Sequence, residues 1–228
     1  MVELIAGLDA ERVRSNLARI REQIEAASTR RPPASAGGPR GEVQVLAATK
    51  YVSGADMPAL ARAGVGLVGE NRAQDLQAKV AAHGELFEWD FIGQLQSRRV
   101  RLIVPHVRLI HSVASDSTMR ELERHRDSAR EGMRILIEVD LAGESSKAGV
   151  APAELDEMIA RSPFPVAGLM TMPPLSSEPE RSRPWFSQLR ELADERALEH
   201  LSMGTSQDYL VAVEEGATIV RIGTSLYR

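Results

Sequence analysis

An eight-stranded (β/α)8 TIM barrel with one extra N-terminal helix is the fold class that the 228-residue sequence predicts. Two observations carry this. Eight short apolar runs alternate with seven helical patterns after residue 42, and small glycine- and hydroxyl-rich turns follow the last two runs. Strand–helix alternation implies parallel pairing, because each return crossover needs a helix. Eight such units in about this length suit a closed barrel. An open doubly wound sheet shows the same periodicity and is the alternative architecture.

The elements follow in order. Val13, Leu17, Ile20 and Ile24 keep helical spacing and predict an N-terminal amphipathic helix. Residues 28–41 hold three prolines and three glycines and read as a flexible connection from that helix to the barrel, within one domain spanning 1–228. Strands are expected over 43–48, 66–69, 89–92, 108–111, 135–140, 166–170, 201–203 and 218–222. Helices are expected over 56–63, 73–83, 97–104, 116–130, 152–160, 180–196 and 207–214.

Composition removes several function classes. The chain has no cysteine, which excludes disulfides, thiolate nucleophiles and cysteine metal sites. A net charge of -4 offers no general attraction to nucleic acid or anionic membrane. No apolar run approaches a membrane span, and Glu3, Asp9 and Glu11 interrupt any signal-peptide core, so the expected location is cytoplasmic. The five histidines show no metal-ligand spacing; His106 and His111 read as a strand-flanking pair. Gly64, Gly66 and Gly69 spell G-x-G-x-x-G, but a helical pattern precedes them and the last two bracket a predicted strand, the wrong context for a dinucleotide site.

Lysine usage is the informative feature. Of 28 basic residues only Lys50, Lys79 and Lys147 are lysine. Lys50 follows the apolar run from Val43 and emerges at the C-terminal end of the first strand, the face that carries active sites in such barrels. Partial desolvation there favours the free amine needed for imine formation. Lys79 and Lys147 lie in polar settings and read as solvated. Met203-Gly-Thr-Ser206 and Gly223-Thr-Ser225 follow strands seven and eight, where barrels commonly bind phosphate. Residue chemistry alone thus describes a phosphate-bearing carbonyl compound held by a lysine.

Several ordered segments then add a resemblance: Ala48-Thr-Lys50, Gly69-Glu-Asn71, Phe91-Ile-Gly-Gln-Leu-Gln96, Ser146-Lys-Ala-Gly149, Gly168-Leu-Met-Thr-Met172, Leu201-Ser-Met-Gly-Thr-Ser206 and Val220-Arg-Ile-Gly-Thr224. Together they resemble the pyridoxal phosphate homeostasis protein family, whose barrel is like the N-terminal domain of alanine racemase. The resemblance implies pyridoxal 5′-phosphate (PLP) as the cofactor, held as a Schiff base on Lys50. It implies that Ser206, Gly223 and Thr224 hold the phosphate, that Arg221 approaches the pyridine nitrogen, and that Asn71 and Met203 line the pocket. A guanidinium beside that nitrogen discourages its protonation and weakens the ring as an electron sink. The sequence departs from the family at Asp90, where a histidine commonly precedes Phe-Ile-Gly, and at Arg98-Arg99.

The function so implied is a non-catalytic PLP carrier or buffer, a monomer with PLP-dependent apoenzymes as its partners and neither catalytic residue nor metal. The alternative is an amino-acid racemase, with Lys50 serving one face of the substrate and Tyr51, Asn71 or Tyr209 the other. A Schiff-base aldolase is a third reading, suggested by barrel and phosphate turns alone.

Overall fold

The computed structural model describes residues 5–33, 41–143 and 149–228. Its eight strands close into a barrel, β1 (Gln44–Ala48), β2 (Leu67–Glu70), β3 (Glu88–Phe91), β4 (Leu109–Val113), β5 (Arg134–Glu138), β6 (Val166–Met170), β7 (His200–Thr205) and β8 (Ile219–Ile222), paired in sequence order. All pairings are parallel, and β1 closes on β8 with Gln44 opposite Ile219 and Ala47 opposite Ile222. The predicted barrel is thus confirmed, and the open sheet is not formed.

The helices are α1 (Ala10–Ser28), α2 (Met57–Arg62), α3 (Ala73–His83), α4 (Val100–Ile103), α5 (Asp116–Arg124), α6 (Leu155–Ala160), α7 (Arg183–Asp194), α8 (Tyr209–Glu214) and α9 (Thr224–Tyr227). In α1 the Asp9 carboxylate caps the backbone N–H of Glu11 at 2.9 Å, and Val13, Leu17, Ile20, Ile24 and Ala27 form its buried stripe. That stripe packs on α8 and α9, so the extra helix covers the seam where the barrel closes. Several expected helices are shorter than their patterns. The one expected over 116–130 ends at Arg124, because His125 leaves helical geometry and a single tight turn, Arg126–Ser128, follows. The short α9 was not anticipated; four residues are too few to show a period.

Alternation along the strands, offset in β6 where the register shifts near Ala167, sorts side chains into two layers. Ala47, Val68, Phe91, Ile110, Ile137, Leu169, Leu201 and Val220 face outward into the large core shared with the helices. Leu46, Leu109, Leu136, Ala167, Met170 and Ile219 fill a separate, smaller cluster inside the barrel. The rest of the interior is polar: Asp90, His111, Ser202 and Arg221 are all buried there. The outer layer supplies most of the apolar burial. Phe186 of α7 is fully buried in it, and Phe186→Ala is expected to lower unfolding free energy by about 3–5 kcal/mol in urea denaturation. A loss below about 1 kcal/mol would contradict this packing.

Candidate functional site at the C-terminal end of the barrel

The ends of β7, β8 and β1 converge on one edge of the barrel mouth. Near the end of β7 the chain bends at Gly204, whose φ of +88° suits glycine alone. A Cβ at this position would stand only 2.5 Å from Ala212 Cβ, so there is no room for a side chain. Ser206 lies in the turn beyond. Its hydroxyl accepts the Gly223 N–H at 3.1 Å, and its carbonyl accepts from Ser225 Oγ at 3.4 Å, so the two glycine–hydroxyl turns are in direct contact. Asp208 organises the first turn by accepting from the Thr205 N–H at 2.7 Å and from Ser182 Oγ at 2.8 Å. Thr224 is exposed at the start of α9. Gly223 also borders Ala48 at the end of β1, two residues before Lys50, and Tyr227 Oη donates to the Ala48 carbonyl at 3.1 Å. Lys50, Ser206, Gly223 and Thr224 therefore share one end of the barrel.

Lys50 itself is exposed, with its Nζ 5.0 Å from the Tyr51 ring centroid. The expected partial desolvation is not met, because the amine stands beyond the strand end rather than within the barrel. The buried lysine is Lys79, which corrects the reading of it as solvated. It sits on the buried face of α3 with Ala73 and Leu76. Its ammonium donates to the Thr49 carbonyl at 2.8 Å and forms a short ion pair with the fully buried Glu70. Thr49 Oγ1 donates to the same carboxylate at 2.7 Å. This pair ties α3 and the end of β2 to the residue preceding Lys50. Lys147 lies outside the described residues.

Asn71 follows Glu70. Its backbone meets Gly93 so closely that a Cβ there would stand 2.1 Å from the Asn71 carbonyl oxygen. The Asn71 Oδ1 is buried and has no hydrogen-bond partner among the described residues. Met203 is fully buried, and its side chain belongs to the outer core between strands and helices. The residue beside it, Ser202, points into the barrel. Tyr209 does not face the mouth, since its hydroxyl donates to Gln23 on α1 at 2.6 Å.

Arg221 is 6% exposed inside the barrel. It donates through Nη1 to the Ser202 carbonyl at 2.8 Å and Oγ at 2.6 Å, and through Nη2 to the Thr171 carbonyl at 3.1 Å and the Met172 sulfur. Among the described residues these bonds leave its Nε–H without an acceptor. Burial lowers the guanidinium to about 10, while Glu138 and Asp208 oppose the shift, so it stays charged at neutral pH. The Glu138 carboxyl, pushed up to about 7 by burial against the pull of Arg221, lines a cavity of about 230 Å³ with Asp140, Thr171, Met172 and Trp185. Glu138 and Ser202 were missed from sequence because they lie within runs that read simply as strand, and Thr171 because it directly follows one.

The raised Glu138 sets a pH dependence. The native carboxyl keeps its proton between about 4.5 and 7 while the unfolded one loses it, so this group's contribution to stability falls as pH rises through that window. Glu138→Gln is expected to become progressively more stable than the parent from pH 5 to pH 8 in urea denaturation; a difference independent of pH would contradict the assignment.

Comparison with known proteins agrees with the closed barrel fold. Residues 8–228 match the family model described as alanine racemase, N-terminal domain. A pyridoxal phosphate homeostasis protein of Aquifex aeolicus is 40% identical over 92% of this chain and 95% of its own. Its namesake from Escherichia coli is 32% identical, covering 93% and 94%. The solved structure of PipY from Synechococcus elongatus with PLP bound superposes with a TM-score of 0.77 at 32% identity, over 95% of this chain and 100% of that one. Alanine racemase of Corynebacterium glutamicum, at 16% identity and a TM-score of 0.65, shares the fold over 96% of this chain and 61% of its own. The chain belongs to the pyridoxal phosphate homeostasis protein family, on the barrel of the alanine racemase N-terminal domain.

Proposed function

We propose that the protein binds PLP at the C-terminal mouth of the barrel, with Lys50 as the covalent anchor, and acts as a carrier or buffer for the cofactor. The observation that carries this reading is the meeting of four features at one barrel end. These are an accessible amine on Lys50, the joined turns of Ser206 and Gly223, the orphaned acceptor of Asn71, and the buried cation of Arg221. The residues present fit the cofactor. When bound, PLP supplies an aldehyde that reacts with amines and a ring able to withdraw electrons.

Each side chain has a role in that reading. Lys50 offers its free amine. Ser206 and Thr224 donate their hydroxyl protons to the phosphate, and the Gly223 N–H, released as Ser206 Oγ turns to that group, adds a backbone donor. Asn71 Oδ1 gains the donor it lacks. Arg221 turns its unengaged Nε–H to the ring nitrogen and, being charged, holds that nitrogen unprotonated. Met203 contributes through its backbone, since its side chain is committed to the outer core. Barrel and α1 then act as one ligand-binding domain.

A racemase needs acid–base groups on both faces of its substrate. Tyr209 is withdrawn from that duty by its bond to Gln23, and the relatives that are named for pyridoxal phosphate homeostasis support the carrier reading. Among the described residues no helix is long and apolar enough to cross a membrane. We infer a cytoplasmic monomer that hands PLP to apoenzymes, a setting consistent with the cysteine-free sequence.

Titration with PLP is expected to give one bound cofactor per chain with a visible absorption band, and Lys50→Ala to lose that band and bind at least about tenfold more weakly. The loaded protein is expected to turn over no member of a broad amino-acid panel. Absence of binding would contradict the site; turnover abolished by Lys50→Ala would replace carrier with enzyme.

A further inference from the structure

A continuous chain of buried polar side chains runs down the barrel from Arg221. Its members come from four strands: Arg221 from β8, Ser202 from β7, His111 from β4 and Asp90 from β3. Ser202, His111 and Asp90 are fully buried. His111 therefore does not flank its strand, as its spacing from His106 suggested, but fills the barrel interior. Ser202 Oγ lies 2.6 Å from Arg221 Nη1 and 2.8 Å from His111 Nδ1. His111 Nε2 lies 3.1 Å from Asp90 Oδ2. Arg108 closes the chain near the opposite end, donating to Asp90 Oδ1 at 2.9 Å, to Oδ2 at 3.1 Å and to Gln44 Oε1 at 2.6 Å.

The chemistry of the donors sets every proton in this chain. Arg221 can only donate, so Ser202 Oγ accepts from it and has its own O–H left for His111 Nδ1. His111 then carries its proton on Nε2 and donates it to the Asp90 carboxylate. The other neutral tautomer would set a bare Nε2 lone pair against a carboxylate and strand the serine proton. Burial pushes the imidazole below its ordinary range despite the pull of Asp90, which favours the neutral ring.

We infer that Asp90 and His111 are positioning residues for the bound cofactor: through Ser202 they lock the orientation of the Arg221 guanidinium that meets the pyridine nitrogen. The inference rests on the PLP reading above. Asp90, the position where this chain departs from the common histidine, supplies the anion at which the run of donors ends. With Nη1 fixed by Ser202 and Nη2 by Thr171, the guanidinium cannot rotate, and its Nε–H keeps one direction. Neither Asp90 nor His111 is asked to touch PLP.

Two measurements test this. In the protein without PLP, nitrogen-15 NMR of the imidazoles, with His111 assigned through His111→Gln, is expected to show a neutral ring protonated on Nε2. An Nδ1-protonated ring or an imidazolium would overturn the chain. With PLP, Ser202→Ala and Asp90→Asn are each expected to bind about tenfold more weakly, the loss of one charge-assisted hydrogen bond, and to move the visible band. The double variant is expected to be no worse than Ser202→Ala alone, because cutting at Ser202 already isolates Asp90. Asp90→Glu is expected to restore part of the affinity. Additive losses, or an unmoved band with merely lowered thermal stability, would overturn the positioning role while leaving PLP binding intact. A parent chain that takes up no PLP would instead overturn the functional reading, and the positioning role with it.

Discussion

A guanidinium held inside a closed barrel sets terms for everything around it. Burying an unpaired cation costs several kcal/mol, so Arg221 must be met by acceptors at its two terminal nitrogens. Ser202 and Thr171 supply them, and Glu138 and Asp208 add opposing charge from nearby. Filling the interior with these groups displaces the layered aliphatic packing usual in such barrels, and only a small apolar cluster remains there. Stability is correspondingly shifted to the outer core between strands and helices, where residues such as Trp89, Phe91 and Phe186 are buried.

A second buried charge organises the neighbouring edge of the mouth, at the ends of β1 and β2. Lys79 reaches from α3 to Glu70 and to the carbonyl of Thr49, drawing three elements together immediately before Lys50. The two lysines divide their duties by environment. Lys79 is neutralised by its partner and enclosed, whereas Lys50 extends from a fixed backbone with its amine accessible. A reactive aldehyde therefore meets one amine on a rigid base and finds the other shielded.

Much of this was legible beforehand. The β6 span of 166–170 and the α3 span of 73–83 emerged as expected from hydrophobic period and bounding residues. The G-x-G-x-x-G run proved to start in the turn after α2 and to end within β2, with a helix before it as its context indicated. The barrel interior was harder to read. In a parallel barrel both faces of a strand are buried, so inward and outward positions are not separated by polarity. Asp90 and Ser202 consequently read as ordinary strand positions and His111 as a strand-flanking residue, though each occupies an inward position and is hydrogen-bonded to the next. Lys79 carried a readable signal: it follows Ala73 and Leu76 on the buried stripe of an amphipathic helix, where a charge calls for a partner. At Lys50 the difference runs the other way, because a strand end predicts proximity to the mouth but not the depth of the side chain.

With only three lysines in the chain, the anchor can be identified chemically. The protein would be treated with PLP, reduced with borohydride to make any amine linkage permanent, and mapped by peptide mass spectrometry. The modification is expected on Lys50, with Lys79 protected by its ion pair to Glu70. A label on Lys79 or Lys147 in place of Lys50, or no label at all, would contradict the assignment of Lys50 as the residue that holds the cofactor.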